Sequence, residues 1–394
     1  MAFFVNFANE KVVLEYIDRT DAMKRIMYLT DAIAILGGME RLLADKLNMF
    51  VSQGDFNVCL LTTNQGSHPL VFPLSPLVEC HDLEILFHQR YRYSGLQRLW
   101  VGRQKHQLLR QRLASQIQAF RPDVIVCIRL ELIPDLLRVS GTIPVVFESH
   151  MSCLCYRFEN FPFRVKCQVW WRHHVLKHIH TIVALTHGDA LEWMKINPQV
   201  KVIPNVVHLN DSGLFSDCQS KNILFIGRYS NQKDVWSLMK IWKIVHQRHP
   251  DWTLNAYGDY GDQRDVLIPE IKKMDANIVL HDPTANIGEE YLKNSMLLLT
   301  SLYEPFGLVM PEAMSYGLPV VAFDCPYGPA EIITDGVDGF LIKDRNVEDF
   351  ADKVCQLIED EELRRSMGAA GIKSSQRFSV ENIMPMWRDF FESI

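Results

Sequence analysis

The fold is decided by a stretch in the C-terminal half of the chain, residues 296–323, which reads MLLLTSLYEPFGLVMPEAMSYGLPVVAF. Two continuous apolar runs, one starting at Met296 and one ending at Phe323, flank a turn and a short helical segment. A buried strand, a helix and a second buried strand in succession are typical of a parallel sheet that is covered on both faces. The stretch therefore predicts a βαβ unit of an α/β domain.

The same alternation of apolar strands and helical segments extends along the chain in two blocks. The first block has predicted strands at 25–29, 56–61, 122–127, 143–147, 181–185 and 201–205. The second block has predicted strands at 222–227, 253–258, 278–280, 296–300 and 319–323. Between Val206 and Lys221 the pattern lapses into small and polar residues, which we interpret as a linker.

Two blocks of this kind predict an α/β protein with two doubly wound Rossmann-like domains that face an interdomain cleft. The predicted boundaries are 1–205 for the N-terminal domain, 206–220 for the linker and 221–375 for the C-terminal domain. Residues 376–394 are predicted to form a C-terminal helix that packs back on the N-terminal domain. A length of 394 residues suits two domains of ordinary size.

Composition places the protein in a reducing compartment. The nine cysteines are scattered, and no pair has the spacing of a zinc knuckle or a redox motif. The sequence shows neither a secretory signal at its start nor an apolar run long enough to span a bilayer, so we expect a cytoplasmic protein. Residues 1–205 carry 23 Lys and Arg against 18 Asp and Glu, whereas residues 206–394 carry 18 against 29. The two halves are therefore expected to face different partners.

Two carboxylates, Glu304 and Glu312, bracket the turn between the strand and the helix of the deciding stretch. Backbone N–H groups near Gly307 can point toward an anion at such a turn. Glu304 would lie on the loop beside a bound ligand, and Glu312 on the helix could hold a diol through paired hydrogen bonds. The alternative interpretation is an acidic helix cap and a solvated glutamate.

Two cations, Arg228 and Lys233, follow the first predicted strand of the second block. A departing nucleoside diphosphate gains negative charge as its glycosidic bond breaks, and a fixed cation lowers that barrier. Ordinary surface cations are the alternative. Since the sequence has no Asp-x-Asp motif and no cluster of ligands at metal spacing, we expect no metal and a charge clamp made by this pair instead.

Gly37, Gly38 and His150 are the candidates in the first block. The glycines follow the first strand and permit close approach of the backbone to a diphosphate, although a plain turn would also use them. His150 follows a predicted strand at the edge where such sheets bind ligands. A structural histidine is the alternative there.

These segments together resemble the family-four retaining glycosyltransferases, which have the GT-B fold. The resemblance rests on Glu304-x7-Glu312 with the following Ala313–Ala322 segment, and on further landmarks in the same order: Gly37–Glu40, Ile203–Asn205, Phe225–Arg228 with Lys233, and a last loop at Gly328–Phe340. It covers residues from about Arg25 to Phe378.

The resemblance implies roles for individual residues. Arg228, Lys233, Glu304 and His150 would be catalytic, with Glu304 on the donor sugar and the two cations on the diphosphate. The nucleotide-sugar donor would be held by Gly37, Gly38, Gly258, Phe306, Gly307, Leu308, Val309 and Glu312, with Glu312 on the ribose. No cofactor is implied, because the nucleotide-sugar is a substrate.

The predicted function is a retaining hexosyltransferase that uses a nucleotide-sugar and a glycan or lipid-linked acceptor, in bacterial surface polysaccharide synthesis. The segment Asp324–Glu331 resembles members that use UDP-hexoses or UDP-N-acetylhexosamines, while GDP-mannose stays open. The alternatives are a nucleotide-sugar epimerase or a phosphorylase on the same fold, and a non-catalytic nucleotide-sugar-binding subunit.

A basic and aromatic region predicts that the first domain rests on the inner face of the cell membrane. No acidic residue occurs between Glu84 and Asp123. The segment contains Arg90, Arg92, Arg98, Arg103, Lys105, Arg110, Arg112 and Arg121, interleaved with Tyr91, Tyr93, Leu96, Leu99 and Trp100. A second predicted cluster comprises Phe161, Phe163, Arg164, Lys166, Trp170, Trp171, Arg172 and Lys177. Basic and aromatic side chains suit an anionic membrane surface. The alternative is that the aromatics are core and the cations form a solvated helix face. No recognised nucleic-acid motif accompanies the charge.

Overall fold

The computed structural model describes residues 23–34, 37–156, 163–258, 261–284 and 286–394. Two parallel sheets, each covered by helices, organise the described chain. The prediction of two doubly wound Rossmann-like α/β domains is confirmed.

The first sheet has seven strands. They are β1 (Lys24–Leu29), β2 (Phe56–Thr62), β3 (Glu79–Asp82), β4 (Val124–Cys127), β5 (Val145–Glu148), β6 (Thr181–Ala184) and β7 (Val200–Val202). Their order is β3-β2-β1-β4-β5-β6-β7, and the pairs from β3 through β6 are parallel. The central strands β4 and β5 are buried along their whole length. This burial explains the apolar sequence of β4 and of the first three residues of β5.

The second sheet has six strands. They are β8 (Asn222–Ile226), β9 (Thr253–Tyr257), β10 (Ile278–His281), β11 (Leu297–Leu299), β12 (Val320–Phe323) and β13 (Gly339–Ile342). The order is β10-β9-β8-β11-β12-β13, with parallel neighbours throughout. Strand β13 corrects the interpretation of Gly328–Phe340 as one loop, because Gly339 and Phe340 pair with β12.

Helices connect the strands and cover both sheets. In the first half they are α1 (Gly38–Ser52), α2 (Gly95–Phe120), α3 (Ile133–Leu136), α4 (Phe163–Leu176) and α5 (His187–Met194). In the second half they are α6 (Val235–Arg248), α7 (Arg264–Lys273), α8 (Ile287–Lys293), α9 (Val309–Ser315), α10 (Gly328–Ile332), α11 (Val347–Glu359), α12 (Glu361–Ser375) and α13 (Val380–Glu392). Short 3₁₀ helices span Phe87–Arg92, Cys153–Tyr156, Asn231–Lys233, Lys343–Arg345 and Gln376–Phe378.

The second sheet packs on a core of large side chains. Phe225 and Phe323 come from its strands, Trp242 from α6 and Phe350 from α11, and all four are fully buried. Each such side chain stabilises the fold by about 1.5–3 kcal/mol relative to an exposed one. Side-chain caps begin four of the helices whose N-cap residue the structure describes: Thr186, Asp234, Asn346 and Asp360 each accept a hydrogen bond from a backbone N–H of the first turn.

The chain divides into two compact units. Among the described residues, those within Met1–Ser149, Phe158–Val183 and Arg388–Ile394 form the first unit, and those within His150–Arg157 and Ala184–Trp387 form the second. The predicted boundaries at 205 and 221 stay predictions. The last residues of α13 belong to the first unit, where the Phe391 ring contacts the rings of Phe50 and Phe56.

The segment predicted to be a linker is fastened to the second unit. The backbone N–H of Asn210 donates to Ser315 Oγ at 3.0 Å, and Ser216 Oγ donates to the carbonyl of Asn294 at 2.6 Å. Cys218 is buried, and its carbonyl accepts a hydrogen bond from the buried Arg364 guanidinium. Small and polar composition here therefore reflects side chains that bond to the domain surface.

Candidate functional site

The candidate site lies where the strand order of the second sheet reverses. Strands β8 and β11 are neighbours there, although Ile226 at the end of β8 and Leu297 at the start of β11 are 71 positions apart in the chain. Loops at the carboxyl ends of β8, β11 and β12 meet at this edge. Parallel α/β sheets bind their ligands in the crevice at such a reversal.

The centre of the site is an ion pair between Lys233 Nζ and Glu304 Oε1. The side chains are 14% and 5% exposed, so the pair is largely shielded from water. Ser301 Oγ donates a second hydrogen bond to Glu304 Oε1, at 2.7 Å. The structure thus brings together two of the predicted residues, and it adds a serine that the sequence analysis did not identify.

Arg345 connects the two loops that carry Lys233 and Glu304. Arg345 donates hydrogen bonds to the carbonyls of Thr300 and Ser301, at 2.9 and 2.8 Å, and pairs with the carboxylate of Asp234. Thr300 Oγ1 in turn donates to the carbonyl of Lys233 at 2.9 Å. These bonds fix the β8 and β11 loops to each other. The lysine and the glutamate are therefore held in place before any ligand arrives.

Arg228 is exposed at the end of β8, five residues before Lys233 in the chain. Its guanidinium makes no hydrogen bond or ion pair with the residues that the structure describes. Tyr229 beside it is buried and anchors the loop through a hydrogen bond to the carbonyl of Ala256 at 3.2 Å. The guanidinium is consequently available to an anion from solvent.

Two glycines allow the backbones of the site to approach closely. A Cβ atom at Gly258 would lie 2.4 Å from the carbonyl oxygen of Gly227, and one at Gly328 would lie 1.9 Å from that of Phe306. Any side chain would displace these segments. The predicted role of Gly258 in holding the donor stays a prediction, and close packing of β8 against β9 is the observed reason for the glycine.

The loop after β11 is also bonded to the loop after β12. The N–H of Glu304 donates to the carbonyl of Pro326 at 2.7 Å, and the N–H of Gly328 donates to that of Glu304 at 2.9 Å. Phe306 is buried, with its ring 5.2 Å from the ring of Phe378. Gly307 has a φ of +91°, which favours glycine.

Glu312 is half-buried in the first turn of α9. Val309 is the first residue of that helix, and Leu308 immediately precedes it. The buried Tyr291 hydroxyl donates to Glu312 Oε2 at 3.0 Å. This bond orients one carboxylate oxygen. The tyrosine comes from α8, 21 residues earlier in the sequence, and no sequence signal connects the two.

The remaining predicted residues lie at the edge of the first sheet. Gly37 precedes α1, and a Cβ there would lie 2.1 Å from a carboxylate oxygen of Glu40, the end of a side chain that would have to shift. Gly38 is the first residue of α1. His150 follows β5 and is half-buried.

A cavity of about 350 Å³ lies within the second unit, beside the loop after β12. Its lining includes Gly188, Cys325, Tyr327 and Glu331. Glu331 accepts a hydrogen bond from the backbone N–H of His187 at 3.1 Å and pairs with the imidazole of the same histidine. Burial and the nearby Glu304 charge raise the pKa of Cys325 to about 12, so this thiol stays protonated at neutral pH.

Neither a metal cluster nor a spanning helix is found within the described ranges. No group of three or more His, Cys, Asp or Glu side chains there could hold a metal ion. Of the helices that the structure describes, none is long and apolar enough to cross a membrane.

Comparison with protein families adds a match over the second half of the chain. Residues 212–374 match the family described as glycosyl transferases group 1. The matched range contains the carboxyl ends of β8, β11 and β12, with Arg228, Lys233, Glu304 and Glu312.

Comparison with known proteins extends the likeness to nearly the whole chain. The amylovoran biosynthesis glycosyltransferase AmsD of Erwinia amylovora is 28% identical over 382 residues, which cover 93% of this chain and 99% of the relative. A crystal structure of a Staphylococcus aureus TarM variant superposes with a TM-score of 0.76 at 17% identity, over 94% of this chain and 100% of that one. The chain has the GT-B fold.

A second solved structure shares the fold of this chain. HepE of Anabaena, in complex with UDP and glucose, superposes with a TM-score of 0.72 at 19% identity, over 94% of this chain and 100% of HepE. At this identity the likeness shows the fold alone. The fold prediction is confirmed, and this chain has group 1 glycosyltransferase relatives in polysaccharide synthesis.

Proposed function

We propose that this GT-B chain is a retaining glycosyltransferase of family four that uses a nucleotide-sugar donor bound by its second unit. The observation that carries the proposal is the shielded Lys233–Glu304 pair at the strand reversal of the second sheet, with the exposed Arg228 on the adjoining loop. Lys233 is held in place by its neighbours and Arg228 is open to solvent, and two such cations together suit an anionic leaving group. The group 1 match over the same residues supports this assignment.

In the proposed reaction, the bond between the anomeric carbon and the diphosphate oxygen breaks, and the acceptor oxygen bonds to the same face of the sugar. The acceptor proton passes to the departing diphosphate. Arg228 and Lys233 stabilise the charge that develops there, which is commonly the largest catalytic contribution. The Glu304 carboxylate accepts hydrogen bonds from the hydroxyl groups of the donor sugar, and the Glu312 carboxylate accepts them from those of the ribose.

For the donor we propose a UDP-hexose or a UDP-N-acetylhexosamine, and for the acceptor a glycan or a lipid-linked sugar. The TarM structure contains UDP and alpha-GlcNAc-glycerol, and the HepE structure contains UDP and glucose. AmsD is named for the biosynthesis of amylovoran. We further propose that the protein acts at the cytoplasmic face of the membrane without a resident cofactor.

The test is release of nucleoside diphosphate from purified protein with UDP-glucose, UDP-galactose, UDP-N-acetylglucosamine or GDP-mannose. We expect slow release from a UDP-sugar and none in the Lys233→Met variant. Interconversion of the sugar without release would indicate an epimerase, and dependence on inorganic phosphate a phosphorylase. Binding without any turnover would indicate a non-catalytic subunit, and each of these three results contradicts the proposal.

The same assay tests the proposed charge clamp. Release is expected to continue in excess EDTA, because Arg228 and Lys233 would supply the charge that a divalent ion supplies elsewhere. Loss of activity in EDTA that magnesium or manganese restores would show that this pair does not act as the clamp.

A further inference from the structure

The first half of α2, together with the 3₁₀ helix before it, forms an exposed apolar and basic surface that the candidate site does not use. We define the α2 tip as residues 87–103. Helix α2 packs on the core only through its second half, where its buried residues are Leu109, Leu113, Ile117 and Phe120. From Tyr91 to Trp100 every residue is exposed.

Large apolar side chains are concentrated on the α2 tip. Leu96, Leu99 and Trp100 are 84%, 65% and 61% exposed, and they recur at the i, i+3 and i+4 spacing of one helix face. Tyr91 and Tyr93 are exposed next to them. The interpretation that these aromatics belong to the core is wrong. Single exposed apolar residues are ordinary, whereas a contiguous group marks an interaction surface.

The structure divides the cations of the basic segment into two groups. Lys105, Arg110 and Arg112 bond within the first unit, to the Ile85 carbonyl, the Asp135 carboxylate and the Leu83 carbonyl. Arg90, Arg92, Arg98 and Arg103 remain at the tip and carry its charge, whereas Arg121 lies at the opposite end of α2. Arg92, Arg98 and Arg103 are exposed there, and the chain from Ile85 to Pro122 supplies no carboxylate to neutralise them.

The tip is also an ordered arrangement of rings and guanidinium groups. The Arg98 guanidinium lies 4.5 Å from the centre of the Tyr91 ring, and that of Arg90 lies 5.0 Å from it. The Arg98 contact links α2 to the preceding 3₁₀ helix.

We propose that the α2 tip docks the protein on an anionic lipid bilayer. Arginines interact there with anionic headgroups, tyrosine and tryptophan rings lie at headgroup level, and Leu96 and Leu99 enter the acyl boundary. The positive charge of the tip complements the negative surface of a cytoplasmic leaflet. Docking does not depend on the proposed catalytic activity, because the test measures binding alone.

The second predicted cluster contributes less to this surface. Phe161 lies outside the described residues, and the side chains of Phe163, Arg164 and Lys166 are likewise not described. Of its remaining members, Trp170 and Trp171 are exposed on α4, and Arg172 pairs with Glu131 at 3.4 Å. The proposal therefore rests on the α2 tip alone.

The test is co-sedimentation of the full chain with vesicles of phosphatidylcholine, with or without phosphatidylglycerol, at low and high salt. We expect binding to the anionic vesicles that weakens at high salt. Arg98→Glu/Arg103→Glu should weaken it by about 30-fold, since each cation near the surface contributes about 1 kcal/mol. Leu99→Ser/Trp100→Ser should weaken it by about ten-fold through lost apolar contact.

The matched control is Arg121→Glu/Lys201→Glu, which makes the same change in net charge. Arg121 ends α2 about 35 Å along the helix axis from Arg98, at 1.5 Å per residue. The control should bind within about two-fold of the parent, because the tip is intact. Equal weakening in control and tip variants would show a general charge effect and overturn the proposal. Absence of binding to the anionic vesicles would also overturn it. The same holds if the parent protein forms an oligomer that Leu99→Ser/Trp100→Ser dissociates while vesicle binding persists.

Discussion

Two lysine–glutamate pairs lie at the carboxyl ends of parallel strands, one in each unit, and their surroundings differ. Lys46 and Glu148 in the first unit are 4% and 1% exposed. Lys233 and Glu304 in the second are 14% and 5% exposed, with the exposed Arg228 on the adjoining loop. The first pair is closed off from solvent, whereas the second keeps a side through which a ligand can reach the charges.

The environment of each pair indicates what its charges do. Burial lowers the pKa of Lys46, and the charge of Glu148 opposes that shift. The Lys46 ammonium group also lies 5.2 Å from the centre of the Tyr28 ring. Lys233 and Glu304 instead belong to a hydrogen-bonded network that leads to the loop surface. A Lys–Glu pair at a sheet edge is therefore a candidate site only when a ligand can reach its charges.

The largest expected effect is on stability and concerns the closed pair. Lys46→Met should lower the free energy of unfolding by about 3–5 kcal/mol, because a buried carboxylate loses its cation. The measurement is denaturant unfolding. Lys46→Met/Glu148→Leu should recover most of the loss, since apolar residues replace both charges. If the free energy of unfolding of Lys46→Met lay within about 1 kcal/mol of the parent value, the two pairs would not differ in the way described.

The next effect is on turnover and concerns the open pair. Arg228→Ala should reduce nucleotide release by about 10²–10³-fold, the usual consequence of losing one group that stabilises transition-state charge. Its unfolding free energy should stay within about 0.5 kcal/mol because the side chain is exposed. Lys272→Ala, another exposed cation in the second unit, is the control and should be fully active. Near-parent turnover in Arg228→Ala would remove the arginine from the mechanism.

The smallest effects concern Glu312, a carboxylate held by a hydroxyl group. Glu312→Ala should weaken donor binding by about 1.5–3 kcal/mol, the range for hydrogen bonds to a charged group. Tyr291→Phe removes only the bond that orients the carboxylate and should cost about 0.5–1.5 kcal/mol. Isothermal titration with UDP measures both. If Tyr291→Phe weakened binding more than Glu312→Ala, the tyrosine rather than the glutamate would be the contact.

The sequence by itself determined the α/β class and the central strands of both sheets. Strands such as β4 and β12 are buried along their whole length and are continuously apolar. The edge strand β3 has the exposed, polar sequence Glu79–Asp82, so no periodicity could identify it. The sequence did not identify strand β13 either, because it has only four residues and follows a run of turn residues.

The sequence also selected Lys233 and Glu304, but only the tertiary structure joined them. They are 71 residues apart, and the reversal of strand order between β8 and β11 places their loops side by side. Ser301, Tyr291 and Arg345 could not be singled out, because a hydroxyl or a guanidinium acquires its role from the group that folding places within hydrogen-bond distance. Exposure of the α2 tip was likewise decided by packing, since the core engages only the second half of that helix.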